Sequence, residues 1–135
     1  MLQCYSIGQA FATGAAIPFN NIAVEKGKTA VLAAPATIEL NKKGVYEVCV
    51  DGVVTTATTA DSASVQLTKN GIPLAGAQSS FETAVSAPAP FSFCTLIQVS
   101  EDNTCCCITS PTTLQVVYTG DATTGNINVV VTKIC

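Results

Sequence analysis

The sequence predicts an all-β protein, an antiparallel two-sheet jelly-roll sandwich. Three observations carry this. Apolar residues recur at a spacing of two in many short segments, whereas helical spacing is absent over any useful window. Turn signals separate those segments at regular intervals, as in sandwiches and jelly rolls. Val and Thr are abundant, and β-branched side chains suit a pleated, half-buried surface. The 135 residues are enough for one domain with one core.

Taken in order, residues 5–12 and 21–25 are weak strand candidates. Residues 30–33 and 36–40 are short strands on either side of Pro35. Asn41-Lys42-Lys43-Gly44 forms a turn, and 45–56 a long strand. Residues 62–69 and 72–78 flank Asn70-Gly71, a strong hairpin signal because both turn positions accept positive φ. A further strand is expected over 79–85, ended by Ala87-Pro88-Ala89-Pro90. Residues 91–100 follow, then a turn at Glu101-Asp102-Asn103 and a short piece at 105–108. The last strands are 112–119 and 126–134, joined by Gly120 to Gly125. The chain divides into an N-terminal segment, 1–24, and a jelly-roll domain, 25–135. The first segment is read either as a docking arm or as the first strands.

Alternation sorts the faces. Tyr46, Val48 and Val50 share one face of the long strand; Val45, Glu47, Cys49 and Asp51 share the other. Phe91, Phe93, Thr95 and Ile97 oppose Ser92, Cys94, Leu96 and Gln98. Leu114, Val116 and Tyr118 point inward, as do Ile127, Val129 and Val131, with Val130, Thr132 and Ile134 behind them. The second faces are not solvent-like. Cys49, Cys94, Leu96, Val130 and Ile134 are too apolar for an exposed sheet, so this face is expected to meet other copies.

Composition narrows the partners. Only 11% of residues are charged, which fits a surface covered by another subunit or a scaffold. The net charge is −3 and arginine is absent. The six lysines are scattered along the sequence, with Lys42-Lys43 the only pair. Binding to phosphates needs clustered cations, so nucleic acid and anionic membrane are rejected as partners. No stretch is apolar for long enough to span a bilayer. Residues 1–24 carry no charge, but they lack a basic start and polar residues interrupt them, so a secretory signal is not expected.

Seven cysteines, an odd number in a chain read as unsecreted, argue against a fixed disulfide framework. The Cys105-Cys106-Cys107 triplet cannot close on one ion, because neighbours in a strand face opposite ways, and no histidine helps. The cysteines are read as small apolar residues, with no metal and no cofactor. Three copies around a symmetry axis would still bring one thiol per chain together. No enzyme is expected. There is no histidine to act as a base, and Cys49 has only Glu47 and Asp51 nearby to tune it. Asp51 with Asp61, and Glu101 with Asp102, sit at strand ends where solvated charge is ordinary. Gly8, Gly14 and Gly27 are too widely spaced for a phosphate loop.

Two motifs carry a family resemblance. Gly44-Val45-Tyr46 resembles the Gly-x-Tyr start of a strand in the tumour-necrosis-factor-like and complement globular-head superfamily. Val65-Gln66-Leu67-Thr68-Lys69-Asn70-Gly71-Ile72-Pro73-Leu74 resembles its Lys-Asn-Gly hairpin. Phe91 to Val99 and Asn126 to Ile134 look like two more of its inner strands, so the resemblance runs from about Ile17 to Ile134. It implies a homotrimer. By position, the trimer-facing residues are Val45, Glu47, Cys49, Cys94, Leu96, Val130 and Ile134, with Glu47 expected at a rim, in water or beside a lysine. The fold class often brings chain ends together, which makes a Cys4–Cys135 bridge conceivable. In flavour the chain is similar to versions in Gram-positive bacteria and their phages. There are no Gly-x-y repeats, and the chain from Met1 reads as a stand-alone gene product.

These implications lead to a non-enzymatic phage structural protein. It would be a capsid decoration or head-fibre trimer, made in the host cytoplasm and carried on the virion, with the major capsid protein or another particle surface as its partner. The alternative is a receptor- or glycan-binding head on a spore, cell or fibre surface. That head would use the loops Asp51–Asp61, Glu101–Cys107 and Gly120–Gly125.

Overall fold

The computed structural model describes residues 1–56, 61–100, 112–120 and 123–135. Ten strands are described: β1 (Leu2–Phe11), β2 (Asn21–Glu25), β3 (Ala30–Ala34), β4 (Thr37–Leu40), β5 (Gly44–Thr56), β6 (Asp61–Lys69), β7 (Ile72–Thr83), β8 (Pro88–Val99), β9 (Thr112–Thr119) and β10 (Thr123–Lys133). They form two five-stranded sheets. The first has the order β2-β1-β10-β5-β8, the second β3-β4-β9-β6-β7, and the pairings are antiparallel. No helix occurs among the described residues, and none therefore is long and apolar enough to cross a membrane. The two-sheet antiparallel jelly roll is the architecture the alternation predicted.

The faces fall as the alternation placed them. Tyr46, Val48, Val50, Leu114, Val116, Tyr118, Ile127, Val129 and Val131 are buried between the sheets. Leu2, Cys4, Phe11, Ile17 and Phe19 join this core from the N-terminal segment. Burying one such Val, Leu or Phe contributes about 1.5–3 kcal/mol. Two polar groups drawn inside are bonded: Tyr46 donates its hydroxyl to the Lys42 carbonyl at 2.6 Å, and buried Ser6 donates to the Pro18 carbonyl.

Turn chemistry behaves as read at Asn70-Gly71. Both residues have positive φ, 52° and 80°, which the type I′ hairpin demands. The Asn70 side-chain oxygen also accepts the backbone N–H of Thr113 at 2.9 Å, tying the hairpin to β9. Elsewhere the strands are longer than their sequence signals. Residues 72–78 and 79–85 were expected as two strands; they form one, β7, which runs to Thr83. The β6–β7 register shifts between Gln66 and Thr68, and Gly76 in β7 takes φ 80°. The Gln66 amide fills the gap, donating to the Leu74 and Ala77 carbonyls at 2.7 and 3.2 Å. Pro88 and Pro90, read as a strand end, lie within β8. Proline is tolerated there because β8 is an edge strand, where a missing N–H breaks no central ladder. β10 likewise begins at Thr123, inside the segment expected to be a loop.

Residues 1–24 hold β1 and most of β2. β1 lies inside the first sheet, hydrogen-bonded between β2 and β10. The segment after it turns back over the second sheet, where Gly14 and Ile17 donate N–H groups to the carbonyls of Tyr118 and Val116, both at 2.8 Å. The short piece expected at 105–108 lies outside the described residues.

Candidate functional site

The seven residues assigned to a trimer face come together on the outward side of the first sheet. The register sets them in rows. Thr132, Glu47 and Leu96 lie side by side on β10, β5 and β8; Val130, Cys49 and Cys94 form the next row; Asn128, Asp51 and Ser92 the one after. Val45 precedes these rows on β5, and Ile134 follows β10, its N–H donating to the Val45 carbonyl at 2.8 Å. Leu96 is 63% exposed and Ile134 50% exposed, while Val45, Cys49 and Val130 are half-buried. This half of the face is apolar, with exposed Glu47 as its acidic member.

The start of β5 is fixed by glycine. Gly44 has φ 139°, and a Cβ there would overlap the carbonyl of Cys135 and the Lys133 side chain. β5 can therefore lie against the end of β10 only with glycine at that position.

The cysteine reading needs correction. Cys49 and Cys94 form a disulfide across β5 and β8. They are direct partners in the ladder, with Cα atoms 4.1 Å apart, as close as the narrow type of antiparallel pair brings two residues. Cys4 is buried and Cys135 exposed, and both are free thiols, so the conceivable Cys4–Cys135 bridge does not form. Burial pushes the Cys4 thiol up to about 12, which leaves it neutral and unreactive. The Cys105–Cys107 triplet lies outside the described residues.

The Glu47 carboxylate lies 3.6 Å from the Cys49 sulfur. Glu47, Cys49 and Cys94 thus bring three metal-ligand atoms within 4.8 Å of one another. With both sulfurs in the disulfide, the carboxylate is the only charged donor of the three.

Toward the other end the same face becomes polar, which the sequence reading did not single out. Gln3 donates to Asn128 at 3.1 Å, and Asn128 donates to Asp51 at 3.2 Å. Asn126 accepts the Gly8 N–H at 2.8 Å. These side chains, with Tyr5 and Val53, line an open groove of about 420 Å³. A second groove of about 560 Å³ opens at the sandwich edge, where Phe81 and Phe91 stack with centroids 5.6 Å apart. The only hint of the polar row in the sequence was alternation, which put Asp51 on the back face of β5.

No protein-family model matches the chain, and no curated protein matches it significantly. Solved structures do. The globular domain of zebrafish complement 1qA protein aligns over 99% of this chain and 96% of its own, at 7% identity and a TM-score of 0.70. The fold is the jelly roll of the complement globular heads and the tumour-necrosis-factor proteins. Murine APRIL at pH 5.0 covers 98% of both chains at 10% identity and a TM-score of 0.63. The PRD1 vertex protein P5 covers 99% of this chain and 96% of its own, at 17% identity and a TM-score of 0.63.

Proposed function

We propose that this chain is a non-enzymatic, homotrimeric head module that decorates a particle surface, a phage capsid being the favoured setting. The observation that carries the reading is the apolar half of the first sheet's outward face. Val45, Leu96, Val130 and Ile134 surround the Cys49–Cys94 bridge there, on the broad face of a small domain. Apolar area of this kind is stabilised by covering it, and self-association is the economical cover. The jelly-roll neighbours support a trimer-forming head, and the likeness to a vertex protein supports a virion location. Assembly in threes also suits decoration, because three weak contacts to one particle act as a strong one.

The test has two parts. Sedimentation equilibrium of the purified chain is expected to give three times the chain mass, and a monomer at micromolar concentration rejects the assembly. Immunogold labelling of a producing culture is expected to place gold at regular positions on virus heads. Gold on spores, cell walls or tail fibres transfers the role to the receptor-binding alternative.

A further inference from the structure

The Cys49–Cys94 bridge and Glu47 lie on the outward face of the first sheet toward the base of the sandwich, the end where β5 starts and β10 finishes. The fold places the three side chains together in two steps. Glu47 and Cys49 are two residues apart on β5, so both leave the same face. Cys94 is the direct ladder partner of Cys49, with Cα atoms 4.1 Å apart. Along this stretch β5 is paired to β10 on one side and to β8 on the other, so backbone hydrogen bonds hold these positions independently of the bridge. Opening the sulfur–sulfur bond therefore leaves three donor side chains side by side.

Their spacing suits one small ion. Thiolate and carboxylate donors around a tetrahedral zinc ion stand about 3.6–3.8 Å apart, given bonds of about 2.0–2.3 Å. The Glu47 carboxylate is 3.6 Å from the Cys49 sulfur, and the three donor atoms lie within 4.8 Å of one another. Glu47 and Cys94 are exposed and Cys49 is half-buried, so the cluster opens outward from the sheet.

We propose that reduction of the Cys49–Cys94 bridge turns Glu47, Cys49 and Cys94 into a binding site for a thiolate-seeking divalent cation of the zinc class. The sulfur–sulfur bond is the gate, because only thiolates bring negative charge to the ion. A dithiol reductant reaches exposed Cys94, passes two electrons and two protons to the bridge and closes its own disulfide. The cation then displaces both thiol protons into water and takes the two thiolates and the Glu47 carboxylate, with water in the fourth position. Two sulfur donors favour zinc over magnesium and calcium, which prefer all-oxygen shells. The donors all come from one chain, so the site does not rest on the trimer reading. A trimer that covers this face takes the ion in before its copies meet.

The experiment unfolds the full chain, reduces it with a phosphine, refolds it with zinc and removes loose metal by gel filtration. Bound zinc is read by elemental analysis, beside the C49S/C94S variant and Glu47→Gln. The reduced chain is expected to hold one zinc ion more than C49S/C94S, a difference that cancels whatever the other cysteines bind. The untreated, disulfide-bonded chain is expected to hold no more than C49S/C94S. Glu47→Gln, a change at an exposed position that keeps the fold, is expected to weaken zinc about tenfold or more, as loss of a supporting group at a metal site does. Magnesium in place of zinc is expected not to stay bound. Buried Cys4 reports on folding, since it escapes alkylation only while the core is closed. If C49S/C94S fails to fold by that measure, the Glu47→Gln comparison carries the test. Equal zinc in the reduced chain and a folded C49S/C94S overturns the proposal. So do equal affinity of Glu47→Gln and the parent, equal retention of magnesium, extra zinc in the untreated chain, or alkylation of Cys4 in the reduced chain. Sedimentation of the same samples separates the two readings. A monomer that holds the zinc removes the trimer and keeps the site; a trimer without it does the reverse.

Discussion

The outward faces of the two sheets differ, although the same alternation produced both. On the second sheet the outward positions are Thr37, Glu39, Ser62, Ser64, Thr113, Gln115, Gln78 and Ser80, small or polar side chains that suit water. Its apolar members Val31 and Val117 are half-buried, and Ala16 bridges to Val117. On the first sheet the matching positions toward the base are Val45, Val130, Leu96, Ile134 and the Cys49–Cys94 pair. The interior demands of the two sheets are alike, so the core does not explain the difference. It teaches that the two backs of the sandwich differ in chemistry, one polar as water suits and the other apolar toward the base, and the proposed self-association rests on that difference.

The largest effect is expected from deleting residues 1–24. Deletion removes β1 from between β2 and β10, along with Leu2, Cys4, Phe11, Ile17 and Phe19 from the core. The truncated chain is expected to lose its cooperative thermal transition. A folded, trimeric truncation would show that the segment is an arm after all, and that the first sheet needs no strand there.

Next comes a matched pair. Leu96→Glu places a charge on the apolar back and is expected to convert the proposed trimer to monomers in sedimentation, while monomer stability shifts by no more than about 0.5 kcal/mol. Gln115→Glu, on the back of the second sheet, is expected to leave the mass unchanged. Equal behaviour of the two variants removes the distinction between the sheets.

A smaller loss is expected from Cys94→Ser. It opens a link between residues 45 apart in sequence, and denaturant titration is expected to show about 2–4 kcal/mol less stability. An unchanged midpoint under non-reducing conditions would mean that the bridge constrains nothing.

The smallest effect concerns Cys4. Its thiol is held neutral up to about 12, above the ordinary 9.0, by burial. A raised thiol value means that the folded state keeps its proton longer than the unfolded one does. The contribution is complete below pH 9 and declines as pH rises from there toward 12. Thiol titration at pH 8 is expected to label Cys135 in the native protein and Cys4 only after unfolding. Prompt labelling of Cys4 would show that the first sheet opens readily.

Much of this was legible before any coordinates. Inward and outward sets on β5, β8, β9 and β10 followed from period-two alternation, and the Asn70-Gly71 turn from the conformations those residues favour. The candidate face was legible for the same reason, because Val45, Cys49, Leu96 and Val130 sit opposite strongly apolar inward positions. Strand ends were less so. Pro88 and Pro90 read as a stop, and only the position of β8 at a sheet edge makes them acceptable inside a strand.

The sequence by itself determined which side of each strand is buried, since that depends on neighbours one and two residues away. Register, sheet order and the end at which each loop emerges depend on pairings between segments far apart in the chain. Only the tertiary structure therefore decided that Cys49 meets Cys94 and that Asn128 lies between Gln3 and Asp51. It alone set two cysteines 45 residues apart beside the Glu47 carboxylate.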